Sequence, residues 1–238
     1  MAGSNGTAKG TAKGSKSAGG RSLDGSHDDL PEKVYDRPGG STVINEDAQI
    51  DAMAKNAGLS REEAAKSHDS IGRFTAGFYE DFRNVERGKL DAFKTTSTME
   101  WDKKATAQKL AETQEKIRAI NQYITKAPAY KGEIYRGMGF SSAEDQAGFL
   151  KSLGSKSLNA MSSFSSKSRV ADSFISTSSS FGVVLKVVNN KSGVSIKNIS
   201  QYKTESEVLV PKGTKYKIVK VTPRSDNPQI LDVEVKEV

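Results

Sequence analysis

The sequence predicts an α+β fold in which two mainly antiparallel sheets pack against each other and form a cleft, with helices covering one side. Helical periodicity dominates residues 41–127, and short β-rich runs dominate the chain from Pro128 onwards. A run of helices followed by a run of strands is typical of α+β rather than alternating α/β folds. We therefore divide the chain into a helical part, residues 41–127, and a β-rich part, residues 128–238.

Residues 1–40 differ in composition from the rest. They begin MAGSNGTAKGTAKGSKSAGGRS, which repeats Gly-Thr-Ala-Lys and has no large apolar residue after Met1. Such a segment cannot bury enough apolar surface to offset its chain entropy, so we expect a disordered basic tail. This tail is either a solubilising leader or an arm that contacts nucleic acid or a virion surface.

The helical part carries clear start and stop signals. Asn45 can cap a helix that runs to about Ala57 and stops at Gly58, and Ser60 with Glu63 has the spacing of a capping box. Apolar residues then recur every three or four positions over 69–87, which predicts a helix with one buried aromatic face. The longest helical pattern, 103–125, ends before Pro128. The aromatic face consists of Ile71, Phe74, Phe78, Tyr79, Phe82 and Val85.

Seven β-rich runs follow Pro128. The last one alternates Leu231, Val233 and Val235 with charged residues, which predicts a strand with one buried face. The seven runs span residues 133–138, 158–165, 183–188, 194–199, 207–210, 214–221 and 229–235.

Composition excludes several kinds of site. The chain has no cysteine, which excludes disulfides, thiolate nucleophiles and cysteine-bound metals. Of its two histidines, His27 could at most bind metal weakly beside Asp28, and His68 has no second histidine for a catalytic dyad. We therefore expect catalysis without a metal.

Charge and hydropathy bear on partners and location. The formal net charge of +7 favours an anionic partner or cofactor. No apolar run is long enough to span a membrane, and the N-terminus lacks the apolar core of a secretory signal. The sequence leaves the location open between the cytoplasm and delivery into a target cell as an effector or phage-borne protein.

Three short segments of the β-rich part could carry chemistry. In IYRGM, Arg136 interrupts an apolar strand, where a bare guanidinium is costly to bury. Arginine can clamp phosphate through paired hydrogen bonds, and Gly137 would let a ligand approach the backbone. A structural ion pair would explain Arg136 equally well.

The other two segments are SSFSS and ESEVLVP. Ser163 and Ser165 alternate, so their hydroxyls project from one face of a strand, where they could bind a carboxylate or a ribose. Glu205 and Glu207 begin a strand two positions apart, and neighbouring like charges raise one pKa, which suits acid–base chemistry. An edge strand and a solvated turn are the simpler alternatives.

The order of these segments resembles the R-S-E group of mono-ADP-ribosyltransferases, which includes clostridial binary toxins and domains linked to phage head-morphogenesis proteins. The resemblance covers residues 60–238 and is strongest in YRGM, SSFSSKSRVADSF and ESEVLVPKGTKYKI. It implies transfer of ADP-ribose from NAD+ to arginine side chains of a target protein in a host or competitor cell, with release of nicotinamide. The alternatives are a catalytically silent virion or structural module and a nucleic-acid-binding module.

The resemblance also implies roles in binding NAD+. Arg136 would pair with the phosphates, and the backbone at Gly137 would hold the nicotinamide carboxamide. Ser163 would orient Glu207, with Ser165 beside it. Glu207 would bond the ribose 2'-hydroxyl and stabilise the cation that forms as nicotinamide leaves.

Two further residues would select the acceptor. Glu205 would accept its proton, and glutamate at this position implies an arginine acceptor. Tyr202 would present an aromatic ring to the target.

The serine motif departs from the family's usual Ser-Thr-Ser. We assign it to Ser163-Phe164-Ser165, because a Val-Ala-x-x-Phe helix at 170–174 and a strand at 183–188 follow. The literal Ser176-Thr177-Ser178 leaves no room for that helix before the strand, but it remains the alternative.

Overall fold

The computed structural model describes residues 34–36, 42–94, 96, 98–175 and 180–238. His27 and most of the basic tail lie outside these residues. No helix among them is long and apolar enough to cross a membrane. The described residues of the first half include a short hairpin and four α-helices: β1 (Val34–Asp36), β2 (Thr42–Ile44), α1 (Glu46–Ala57), α2 (Arg61–Arg73), α3 (Tyr79–Glu86) and α4 (Glu100–Lys126).

The predicted caps of the first two helices are confirmed. The Asn45 side chain accepts a hydrogen bond from the N–H of Ala48 at 3.1 Å, and Gly58 ends α1 in the left-handed conformation. Ser60 and Glu63 form the reciprocal capping box at α2. Each of the two N-caps satisfies backbone N–H groups that the first helical turn leaves free, and is worth about 1 kcal/mol.

The aromatic face predicted over 69–87 is interrupted. Phe74–Phe78 is a π-helical turn in which Gly77 has φ 99°, a value that residues with a side chain rarely adopt. Phe74 and Phe82 remain buried and meet edge to face with ring centroids 5.7 Å apart. Phe78 and Tyr79, by contrast, are 48% and 43% exposed, so the prediction that they belong to the core was wrong.

The second half of the chain contains seven strands and two helices among its described residues. The helix over 143–155 was not predicted, and the strands within 158–165 and 194–199 are shorter than the β-rich runs suggested. The elements are β3 (Ile134–Phe140), α5 (Ala143–Ser155), β4 (Ser162–Ser165), α6 (Ser168–Ser173), β5 (Phe181–Val187), β6 (Val194–Ser195), β7 (Glu207–Val210), β8 (Tyr216–Pro223) and β9 (Ile230–Glu237).

These strands form one sheet in the order β6-β7-β4-β3-β5-β9-β8. Every neighbouring pair is antiparallel except β5 and β9. β3 and β4 are joined by a single residue pair, Tyr135 opposite Ser165, so the sheet divides there into a three-stranded and a four-stranded arm. The predicted α+β class is confirmed, and the two predicted sheets correspond to the two arms of this continuous sheet.

Two apolar clusters hold the fold together. One joins the helices to the three-stranded arm, with Ile120 and Tyr123 of α4 packed in a cluster with Leu209 of β7. The other lies between the two arms, where Val208 of β7 and Leu185 of β5 belong to one cluster. β7 is therefore covered on both faces, so a charged residue at its start lies in a desolvated setting.

Candidate active site

A cavity of roughly 310 Å³ opens where β3, β4 and the start of β7 meet the helical half. All seven site residues predicted from the sequence line it, and α3 and the π-helical turn supply the opposite wall. The alternative motif Ser176-Thr177-Ser178 lies outside the described residues, so the choice of serine motif stays a prediction. The seven residues are Arg136, Gly137, Ser163, Ser165, Tyr202, Glu205 and Glu207.

The pairing of β4 with β7 explains why the serines and a glutamate meet. Ser165 lies opposite Glu207, and Ser163 lies opposite Leu209. Because directly opposed residues share a face and alternate residues return to it, both serines project to the same side as Glu207.

Glu207 is 6% exposed and is held by two hydroxyl groups. Ser200 donates its hydroxyl proton to Oε2 of Glu207 at 2.8 Å, and Ser163 makes a second side-chain hydrogen bond to the carboxylate. Burial raises the pKa of Glu207, the two serine hydrogen bonds oppose that rise, and the nearby charge of Glu205 adds to it. The carboxylate is thus fixed in direction and more basic than an exposed one.

Glu205 lies in a different setting, on a turn before β7. We call residues 202–206 the acceptor turn. Lys203–Glu205 is a 3₁₀ turn, and Ser206 follows with φ 48° and ψ 55°, a left-handed conformation that is costly for serine. Burial raises the pKa of Glu205, whose side chain is only partly covered.

The hydroxyl of Ser165 supports this turn. It donates to the backbone carbonyl of Glu205 at 2.6 Å and accepts from the N–H of Lys167 at 3.0 Å. Backbone pairing adds to the support, because the N–H of Ser166 donates to the carbonyl of Ser206 at 3.0 Å. In this structure Ser165 therefore orders the backbone around Glu205, and its predicted contact with the cofactor stays a prediction.

Arg136 projects from β3 into the cavity. Its Nη1 donates to the backbone carbonyl of Ser163 at 3.3 Å, and its guanidinium carbon lies 5.7 Å from the centroid of the Phe164 ring. Burial, and then the positive charge of Arg83, lower the pKa of Arg136 to about 10. No carboxylate among the described residues forms an ion pair with Arg136, so the structural ion pair finds no support within them.

Arg83 of α3 is a second cavity-lining arginine, which was not predicted from the sequence. Its Nε is buried without a hydrogen-bond partner among the described residues, and burial followed by repulsion from Arg87 lowers its pKa. Arg83 and Tyr79 line the same cavity and are spaced four residues apart on one helix face. That spacing was the signal available in the sequence.

Gly137 is required by helix packing. A β-carbon there would lie 1.7 Å from the backbone oxygen of Ala171 in α6, so any side chain would displace that helix. The role expected from the sequence, close approach of a ligand, is thus joined by a steric requirement. The close approach brings Ala171 and Phe174 onto the cavity wall.

The sequence profile of the ADP-ribosyltransferase exoenzyme family matches residues 99–236, more than half of the chain. The chain belongs to this family. The resemblance to the R-S-E group is therefore confirmed, and the protein is an ADP-ribosyltransferase that uses NAD+ as its donor. The matched region contains every site residue predicted from the sequence.

Solved structures of ADP-ribosyltransferases share the fold. The Vis toxin of Vibrio splendidus aligns at TM-score 0.53 and 20% identity over 79% of this chain and 81% of its own. HopU1 of Pseudomonas syringae pv. Tomato DC3000 aligns at TM-score 0.54 and 17% identity over 80% and 88%. No curated protein matches this ADP-ribosyltransferase in sequence. Its described residues contain no group of three acidic or histidine side chains placed to hold a metal ion.

Proposed function

We propose that this ADP-ribosyltransferase modifies arginine side chains of a target protein in a host or competitor cell. The observation that carries the proposal is the pair Glu205 and Glu207, which line one cavity in different surroundings. One carboxylate is fixed and buried, as a group that acts on NAD+ must be. The other is partly exposed, as a group that meets an incoming acceptor must be.

Two arginines of the cavity lining, Arg83 and Arg136, would bind the pyrophosphate of NAD+. Arg83 and Arg136 line the cavity and neither is ion-paired to a carboxylate among the described residues. Paired N–H donors of arginine suit phosphate oxygens, and a dianionic pyrophosphate would relieve the repulsion between the two guanidinium groups. The backbone of Gly137, on the strand beside Arg136, would hold the carboxamide of nicotinamide.

Glu207 would act on the ribose. As the bond between C1' and the nicotinamide nitrogen breaks, its electron pair leaves with nicotinamide and positive charge develops on the ribose. A carboxylate that bonds the 2'-hydroxyl stabilises this charge best when its orientation is fixed beforehand. The hydrogen bonds from Ser163 and Ser200 supply that orientation.

Glu205 would then serve the acceptor. A guanidinium nitrogen of arginine attacks C1' and must lose a proton, and Glu205 is the nearby carboxylate that can take it. Its raised pKa makes it a better base than an exposed glutamate. Tyr202, 56% exposed at the rim, offers a ring on which a guanidinium can stack.

A small guanidine compound provides the first test. The related Vis enzyme, 22% identical to this chain, has been crystallised with agmatine, which carries a guanidinium group. Incubation with NAD+ and agmatine should give ADP-ribosyl-agmatine by mass spectrometry, together with faster nicotinamide release than NAD+ alone. Parallel incubations with asparagine and with cysteine serve as controls. A product with either of these and none with agmatine would contradict the arginine assignment.

Labelled NAD+ added to lysates then identifies the natural target. We expect modified peptides that carry ADP-ribose on arginine. Modification confined to another residue type would reject the proposed acceptor while leaving NAD+ use intact.

A further inference from the structure

Ser200 lies outside the serine motif, yet it forms hydrogen bonds with both Glu207 and the acceptor turn. It is 2% exposed and sits in the loop between β6 and the acceptor turn. Its hydroxyl donates to Oε2 of Glu207 at 2.8 Å and accepts from the N–H of Tyr202 at 3.2 Å. One hydroxyl therefore joins the buried carboxylate to the first residue of the acceptor turn.

The number of available protons determines which group donates in each of the two hydrogen bonds of Ser200. A serine hydroxyl has one proton, and a backbone N–H can only donate. Because the N–H of Tyr202 occupies an acceptor lobe of the Ser200 oxygen, the single hydroxyl proton is free for the carboxylate of Glu207. Hydrogen bonds in such a chain polarise and strengthen one another.

A second link ties the same loop to the opposite wall. The N–H of Gln201 donates to Oγ1 of Thr75 at 3.1 Å, and Thr75 lies in the π-helical turn and lines the cavity. The loop that carries Ser200 is thus held from the helical half, while its hydroxyl reaches the strand half. This anchoring sets the position from which Ser200 meets Glu207.

We propose that Ser200 is a positioning residue that couples the orientation of Glu207 to the conformation of the acceptor turn. The inference rests on the proposed role of Glu207 in stabilising the ribose cation. Ser163 orients the same carboxylate from β4, but among the described residues its side chain forms no hydrogen bond with the acceptor turn. The two serines therefore differ in one property, the link to Tyr202, which provides a matched comparison.

The test compares Ser200→Ala with Ser163→Ala, using NAD+ hydrolysis over a range of pH and transfer to agmatine. Each substitution removes a hydrogen bond to the charged form of Glu207, so each should lower kcat for hydrolysis roughly tenfold or more. Each should also move the acidic limb of the pH profile upward by about one pH unit. The reason is that a hydrogen bond to the charged carboxylate lowers the pKa of Glu207, so losing one of the two bonds raises it. The other ionisable side chains that line the cavity are unchanged: Arg83, Arg136, Glu205, Tyr79, Tyr135 and Tyr202.

Only Ser200→Ala should raise the KM for agmatine, several-fold, because only it frees the N–H of Tyr202. Ser70→Ala is the matched control: Ser70 is a buried serine of α2 whose hydroxyl bonds a backbone carbonyl, and it lies outside the cavity lining. It should leave both the pH limb and the agmatine KM unchanged. Ser200→Thr retains the hydroxyl and should restore the limb.

The results separate this inference from the proposed function. A normal acidic limb in Ser200→Ala, with activity lowered at every pH, would show that Ser200 is merely structural and would overturn the inference. A shifted limb with an agmatine KM equal to that of Ser163→Ala would overturn the coupling to the turn. A shifted limb in hydrolysis, with no agmatine product even from the unaltered enzyme, would support the contact with Glu207 while rejecting the arginine acceptor.

Discussion

β7 and the acceptor turn that precedes it carry the same side chain in two settings. Glu207 begins the strand, is nearly inaccessible to solvent, and receives hydrogen bonds from two serines. Glu205 ends a 3₁₀ turn whose backbone is held while its carboxylate remains partly exposed. In the proposed mechanism, burial and hydroxyl partners, rather than residue type, divide the chemistry between the two carboxylates.

Glu207→Gln should have the largest effect on activity. Loss of the negative charge removes stabilisation of the ribose cation, which is common to hydrolysis and transfer, so both rates should fall on the order of 10²-fold or more. Nicotinamide release and agmatine labelling, measured side by side, check this. Substantial hydrolysis by the variant would remove Glu207 from the bond-breaking step and erase the contrast with Glu205.

Arg136→Ala should act on NAD+ binding instead. Loss of charge-assisted hydrogen bonds to phosphate should cost roughly 1.5–3 kcal/mol of binding free energy, about 10- to 150-fold in affinity. Isothermal titration with NAD+ measures it, and Arg118→Ala, an exposed arginine of α4, is the control. Unchanged affinity would mean that Arg136 lies outside the cofactor site.

Ser163→Ala should reduce activity more than Ser176→Ala or Ser178→Ala. The reason is that Ser163 bonds Glu207 directly, and loss of one such bond should lower kcat roughly tenfold. Measuring nicotinamide release by the three variants distinguishes between the two candidate serine motifs. The reverse order would assign the serine motif to residues 176–178.

The burial of Glu207 should also affect how the stability of the folded protein depends on pH. A carboxyl whose pKa is raised in the folded state binds its proton more tightly there than in the unfolded chain. It therefore stabilises the fold below the unfolded pKa, about 4.3, and that contribution is lost as pH rises through the folded pKa.

Glu207→Gln should accordingly be more stable than the unaltered protein at neutral pH, and the difference should shrink on acidification. Thermal melts over pH 4–8 measure it. Glu205→Gln should show the same sign with a smaller amplitude, because Glu205 is less buried. A larger gain in stability for Glu205→Gln than for Glu207→Gln would contradict the conclusion that Glu207 is the more buried carboxylate.

Much of the site could be predicted because strands carry it. Ser163 and Ser165 alternate along one strand, so their shared face was predictable from the sequence. The placement of Glu207 beside them was implied only by the resemblance, and the pairing of β4 with β7 explains it. Ser200 could not be found in this way, because it lies in an irregular loop without periodicity. Its role depends on how that loop packs.

The fold was predictable to a similar degree. Strong caps marked α1 and α2, and the β-rich runs identified the strands. The π-helical turn at Gly77 was not foreseen, because the apolar spacing continues through it, and Arg83 was missed with it. The helix α5 had a visible signal, since the N–H of Asp145 donates to the hydroxyl of Ser142 in an N-cap.

The most direct test of the division between the two glutamates is Glu205→Gln, assayed for nicotinamide release and for agmatine labelling in the same reaction. Our prediction is that labelling is abolished while nicotinamide release from NAD+ persists, because Glu207, Ser163 and Ser200 remain in place. Full agmatine labelling by Glu205→Gln would contradict it, and with it both the role of Glu205 and the arginine specificity inferred from it.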